Sequence, residues 1–278
     1  MNITASDVNK LRQMTGAGMM DCKKALQECE GDFEAAVDNL RKKGQKVASK
    51  RADRDASEGV VLARANEAKT YAAAIMVNCE TDFVAKNDEF SGMVSKLMDI
   101  VMANQPKTIE EAKALAFDGN ETFDDFLTNM IGKTGEKMTF AHFKVIEAPI
   151  VSAYIHQGNR LATIVGFNTK DAANIETLGH EIAMQIAAMA PVAIDRDDVD
   201  PTIVERELEI GRDQARTEGK PENMIEKIAE GKLNRFYKES TLLNQDFIRD
   251  TKKTVGQYLT ELSKDLKVTA FNRLMLGE

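Results

Sequence analysis

The apolar positions along the chain begin at helical spacing and then alternate between strand-like and helical stretches. In residues 6–14, Val8 and Leu11 stand three apart, and Gly16 and Gly18 close that helix. Residues 19–29 place Cys22, Leu26 and Cys29 on one face, with Gly31 as the stop. Asp32 is positioned to cap a third helix by accepting from its free amides, and Phe33, Ala36, Val37 and Leu40 form its apolar side. These first elements predict a three-helix bundle, small and marginal by itself. Residues 59–65 and 70–78 are then rich in β-branched and small apolar side chains around Asn66-Glu67-Ala68-Lys69, which predicts a hairpin. Phe90, Met93, Val94, Leu97 and Val101 return to helical spacing, helical segments continue through Phe126 and Ile131, and residues 137–147 read as another strand.

The plan recurs in the second half. Residues 150–156 and 161–168 predict a second hairpin, followed by a helix with Ile175, Leu178, Ile182, Ile186 and Met189 on one face, and later by a helix at 255–262 and a strand at 267–276. The fold class is therefore α+β: an N-terminal three-helix bundle, then two related subdomains, each a three-stranded antiparallel sheet covered by helices. The expected boundaries are 1–55 for the bundle and its linker, 56–148 for the first subdomain and 149–278 for the second. An inserted antiparallel helical hairpin occupies 200–239. Asp200-Pro201 opens its first helix, Gly219-Lys220-Pro221 breaks it, and Ile225, Ala229, Leu233 and Phe236 line the second. The hairpin either packs on the body or projects as an arm for partner or self contact.

Composition narrows the function classes. A net charge of −8 favours solubility and argues against a general nucleic-acid binder. No apolar run approaches the roughly 20 residues that cross a bilayer, and the first residues lack the basic and apolar regions of a signal peptide. Cys22, Cys29 and Cys79 form neither an even framework nor a C-x-x-C pair, which points to reduced thiols in a cytoplasmic protein. Residues 41–54 concentrate lysine and arginine without aromatic side chains. That run reads first as a solvated helix end and linker, and second as a contact for RNA or the ribosome.

No catalytic constellation emerges. His142, His156 and His180 fall in different elements without metal-ligand spacing. There is no P-loop and no nucleophile elbow, and Gly16-Ala17-Gly18 does not follow a strand, so no cofactor or metal is expected. Two segments resist a pure core explanation. Met19 and Met20 are adjacent at a helix start, so both cannot face inward. Pattern alone favours gap filling in the bundle, while exposure of one would suit an adaptable binding surface. In the other segment, Thr81 is placed to cap a helix and Asp82 lies in its first turn, where a carboxylate suits the helix dipole. Phe83 either tucks under that helix or projects as a rigid apolar wedge beside a negative charge.

The segment 11–26 and the run Thr81-Asp82-Phe83-Val84 resemble, in order and spacing, the signature segments of the bacterial elongation factor Ts family. The likeness extends to Tyr154-Ile155-His156, His180, Gly219-Lys220-Pro221 and Thr254-Val255-Gly256, and departs from the family pattern at Met76 and Asp246. The resemblance implies a non-enzymatic translation factor with a bundle like a ubiquitin-associated domain, binding elongation factor Tu in its GDP-bound and nucleotide-free forms and promoting GDP release. By that resemblance Arg12, Met19, Met20 and Lys23 meet the partner's nucleotide-binding domain. Asp82 and Phe83 intrude near its magnesium and phosphate site, Thr81 and Val84 beside them also meet the partner, Ile131 makes a further contact, and His156 faces a β-domain. A helical adaptor that binds RNA or the ribosome through 41–54 is the competing expectation, and a thiol or histidine enzyme the third.

Overall fold

The computed structural model describes residues 3–119 and 121–278. Its first three helices are α1 (Ala5–Thr15), α2 (Met19–Glu28) and α3 (Phe33–Lys50). Thr4 and Asp7 form a reciprocal capping box on α1, and Gly16, at φ 68°, ends it in the left-handed conformation that glycine adopts without strain. Asp32 caps α3 by accepting from the Ala35 amide at 3.0 Å. Val8, Leu11, Cys22, Ala25, Leu26 and Ala36 make the bundle core. The basic run carries α3 on to its end at Lys50, and turns follow over 51–54.

The chain then forms β1 (Glu58–Ala65), β2 (Tyr71–Cys79), α4 (Asp82–Ala85), α5 (Asp88–Asn104), α6 (Ile109–Ala114), β3 (Ala116–Asp118), β4 (Glu121–Thr122), α7 (Phe123–Thr134) and β5 (Met138–Glu147). The second half gives β6 (Ile150–Ile155), β7 (Leu161–Phe167), α8 (Ile175–Met189), α9 (Pro201–Thr217), α10 (Glu222–Ser240), β8 (Asp246–Phe247), β9 (Asp250–Thr254), α11 (Val255–Leu262) and β10 (Val268–Met275). One three-stranded sheet has the order β1-β2-β5 and the other β10-β7-β6. Each therefore puts the second hairpin strand in the centre, between the first hairpin strand and the closing strand. The repeat extends to a detail the sequence pattern does not show. A two-stranded ribbon, β3-β4 or β8-β9, leads into a helix that opens with a threonine capping box, at Thr122 and at Thr254.

The chain divides into two compact units, Met1–Leu62 with Ile75–Lys144 and Leu274–Glu278, and Ala63–Ala74 with Val145–Arg273. In the first unit Phe90, Met93, Val94, Leu97 and Val101 of α5 are all buried. Phe117 packs edge-on to Phe123 and tilted against Phe126, while Phe140 meets Phe123 edge-on. Helices α3 and α7 cross at two glycines, and a Cβ built on Gly132 would lie 3.0 Å from Gly44 Cα.

In the second unit β6 and β7 pair antiparallel from Ile150 opposite Phe167 to Ile155 opposite Ala162. The core joins Val165, Phe167, Leu178, Ile182 and Ile186 to Leu242, Phe247, Val255 and Leu259. Met189, expected on the apolar face of α8, is exposed because the helix ends there, with Ala190 in the left-handed region. Buried Gln185 donates to Gln245 Oε1 and to the Asp246 carbonyl and accepts from the Ile248 amide, tying the β8–β9 ribbon to α8. Helices α9 and α10 form the hairpin, with Gly211 seated against Ala229. Among the described residues no helix is long and apolar enough to cross a membrane.

Candidate functional site

Central strand β2 delivers its last residues to a corner where α4 begins. The Thr81 side chain accepts from the Val84 amide at 3.4 Å, and the buried Cys79 thiol donates to the Thr81 carbonyl at 3.2 Å. Helix α4 is a single turn with no buried residue, because Asn87 immediately caps α5 by accepting from the Glu89 amide. Phe83 is consequently 84% exposed, the most exposed of the large apolar side chains among the described residues. The two fates that the sequence leaves open are resolved toward projection. Beside it, Lys86 donates to the Asp82 carboxylate at 2.6 Å, and that hydrogen bond and charge hold the Asp82 carboxyl below the ordinary carboxylate range. The corner thus presents a rigid aromatic ring next to an ionised acid.

Two carboxylates brace this corner, and nothing in the local sequence announces them. Glu136 accepts from the Thr81 amide at 3.1 Å and from the Thr81 hydroxyl at 2.8 Å. Glu80 accepts from the Lys137 amide at 2.6 Å, and Arg51 Nη1 lies 2.9 Å from each Glu80 oxygen. The Lys137 amide, then Arg51, hold the Glu80 carboxyl below its usual value. Lys137 Nζ donates in turn to the carbonyls of Ala52 and Arg54.

The second exposed segment lies on the bundle. Cys22, Ala25 and Leu26 take the inward face of α2, so Met19 at 60% and Met20 at 64% exposure are both left outside the core, together with Met14. Gap filling in the bundle core, which the pattern alone favours, is thereby excluded for both methionines. The Gly16–Gly18 loop is pinned by the Ala17 amide donating to Thr15 Oγ1 and by the Cys22 thiol donating to the Ala17 carbonyl. Lys133 at the end of α7 bonds Glu89 at the start of α5, at 2.7 and 2.5 Å. Its ammonium lies 3.4 Å from where a Gly16 Cβ would stand. Arg12 and Lys23 are exposed on the same bundle.

The whole chain can now be set beside known proteins. A profile of the family described as Elongation factor TS matches residues 80–278. The chain belongs to the elongation factor Ts family. Relatives named Elongation factor Ts include one from Amoebophilus asiaticus, 49% identical over 277 residues and covering all of both chains. One from Christiangramia forsetii is 48% identical and one from Prosthecochloris aestuarii 41% identical, each covering 99% of both chains.

In this member of the family the remaining site candidates are dispersed. Thr81 and Val84 are half-buried beside Phe83. Ile131 is 6% exposed inside α7. His156, exposed at the β6–β7 turn of the second unit, lies with Nδ1 2.9 Å from the Tyr154 hydroxyl, and Tyr154 also meets His180 edge-on. Of the basic run, Arg41 pairs with Asp125, Lys43 with Asp21 and Arg51 with Glu80. Among the described residues no three histidine, cysteine, aspartate or glutamate side chains gather as a metal site.

The thiols run opposite to an activated nucleophile. Burial raises Cys22 and pushes Cys79 up to about 12. At about pH 8 the native protein is expected to leave Cys79 unalkylated by iodoacetamide, with modification appearing only after denaturation. Mass mapping of the alkylated residues checks this, and rapid native labelling of Cys79 would contradict it.

Proposed function

We propose that this chain binds elongation factor Tu carrying GDP and speeds release of the nucleotide, leaving a complex with the nucleotide-free partner. The observation that carries the reading is Phe83, an aromatic ring 84% exposed beside an ionised carboxylate on a braced one-turn helix. An aromatic side chain presented on a braced support is the kind of anchor on which interfaces concentrate their binding energy. The methionine loop, with Arg12 and Lys23 nearby, supplies an adaptable apolar anchor. His156 adds a polar contact from the second unit.

Exchange requires no covalent chemistry. The factor lowers the barrier by binding best as the nucleotide leaves, which is differential binding of a transition state. Phe83 wedges between partner elements, and Asp82 disturbs the shell of the magnesium that holds the phosphates. Asp82 must trade Lys86 for its new neighbours on docking. Reciprocity follows by linkage: whatever factor weakens GDP on the partner weakens this protein on the GDP form. The setting is the cytoplasm, where translation runs, and the α9–α10 hairpin is free for self-association. Stopped-flow release of fluorescent GDP from elongation factor Tu tests the reading. Release accelerating and then saturating with added protein supports it, and an unchanged rate rejects it.

A further inference from the structure

We propose that Glu136 is a positioning residue for the Phe83 corner: by accepting both donors of Thr81 it fixes the direction in which the exposed ring points. This deepens the exchange reading and rests on it. Helix α4 spans four residues, none buried, and a single turn is too short to hold itself in water. Half-burial of Asp82, Val84 and Ala85 holds it only loosely, so polar contacts at its N-cap, Thr81, are needed to set its direction.

Glu136 provides them. Its Oε2 accepts the Thr81 amide at 3.1 Å and its Oε1 accepts the Thr81 hydroxyl at 2.8 Å, while the same hydroxyl oxygen accepts the Val84 amide at 3.4 Å. The relay runs from carboxylate to threonine to the backbone immediately after Phe83. Glu136 is itself fixed. Gly135 closes α7 in the left-handed conformation, and the Glu136 amide donates to Thr134 Oγ1 at 3.2 Å. The neighbouring residues return the favour in the opposite direction, Glu80 accepting from the Lys137 amide at 2.6 Å. Two adjacent residues on each side thus exchange carboxylates, and the end of β2 is latched to the start of β5. Charge-assisted bonds of this kind are directional and strong.

The test compares Glu136→Ala, Thr81→Val and Thr81→Ser in the full chain. The first readout needs no partner: hydrogen exchange of the Val84 amide is expected to speed up about tenfold in Glu136→Ala and in Thr81→Val, and to stay near wild type in Thr81→Ser. The second is stimulated GDP release from elongation factor Tu over a range of concentrations. Glu136→Ala is expected to lower the rate at saturation about tenfold while the half-saturating concentration moves less than about threefold, since the methionine anchor is untouched. The double variant Glu136→Ala with Thr81→Val is no slower than either single one. A general loss of structure would instead lower the melting temperature and reduce rate and affinity together, and that result overturns the proposal. So does a Glu136→Ala protein with wild-type Val84 exchange and wild-type maximal rate. If the wild type fails to stimulate release while Val84 still responds to Glu136→Ala, the latch stands and the exchange reading falls.

Discussion

Phe83→Ala is expected to slow stimulated GDP release at saturation by roughly 30-fold or more and to leave the melting temperature unchanged. The second half follows from exposure. A ring that is 84% in solvent contributes little to the core, and surface substitutions of this kind usually move stability by less than about 0.5 kcal/mol. The first half follows from what aromatic anchors do when they enter a partner. Truncating one typically costs about 2 kcal/mol or more, which as a barrier is roughly 30-fold in rate. If the ring acts in the transition state rather than in docking, the half-saturating concentration changes much less than the rate. Stopped-flow titration separates the two parameters. Equal loss of both would mean that the ring is an anchor and not a wedge.

Gly44→Leu is expected to destabilise the first unit by about 3 kcal/mol, the upper part of the range for overpacking. Gly44 on α3 faces α7 so closely that a Cβ would meet the Thr128 carbonyl at 2.9 Å, and Gly132 answers from the other side at 3.0 Å. Neither close neighbour is a flexible side chain. A branched side chain must push the helices apart, straining the Arg41–Asp125 pair that bridges the same two helices. Because α7 ends at Gly135 and Glu136, the disturbance reaches the base of the Phe83 corner. Urea unfolding should show a lower midpoint with little change in slope. Gly44→Ala should show a smaller loss, and an unchanged midpoint in Gly44→Leu would refute the packing account.

Much of this was legible in the sequence because it depends on local spacing. The inward faces of α5 and α8, the break at Gly219-Lys220-Pro221 and the two hairpins each repeat over several residues, which is what a periodic pattern needs to be read. The extension of α3 to Lys50 was not legible. The apolar side read for this helix ends at Leu40, and Gly44 shows its packing role only once α7 is seen pressed against it. The ribbons β3-β4 and β8-β9 are too short to show alternation.

The site divides in the same way. Thr81 as a cap was visible from its neighbours, but the exposure of Phe83 was not, since one turn has too few positions to define an inner face. Met19 and Met20 could be judged only once Cys22, Ala25 and Leu26 were seen to take the core. Glu136 lies 55 residues from Thr81, and no spacing rule pairs residues at that distance. Ile131, a contact by resemblance, lies buried inside α7 in the chain alone.

The account stands on Phe83 entering another molecule. A structure of this chain bound to nucleotide-free elongation factor Tu tests that most directly. The expected result is the Phe83 ring buried among side chains of the partner with Asp82 facing the emptied phosphate site. A complex in which that ring still points into water would contradict it.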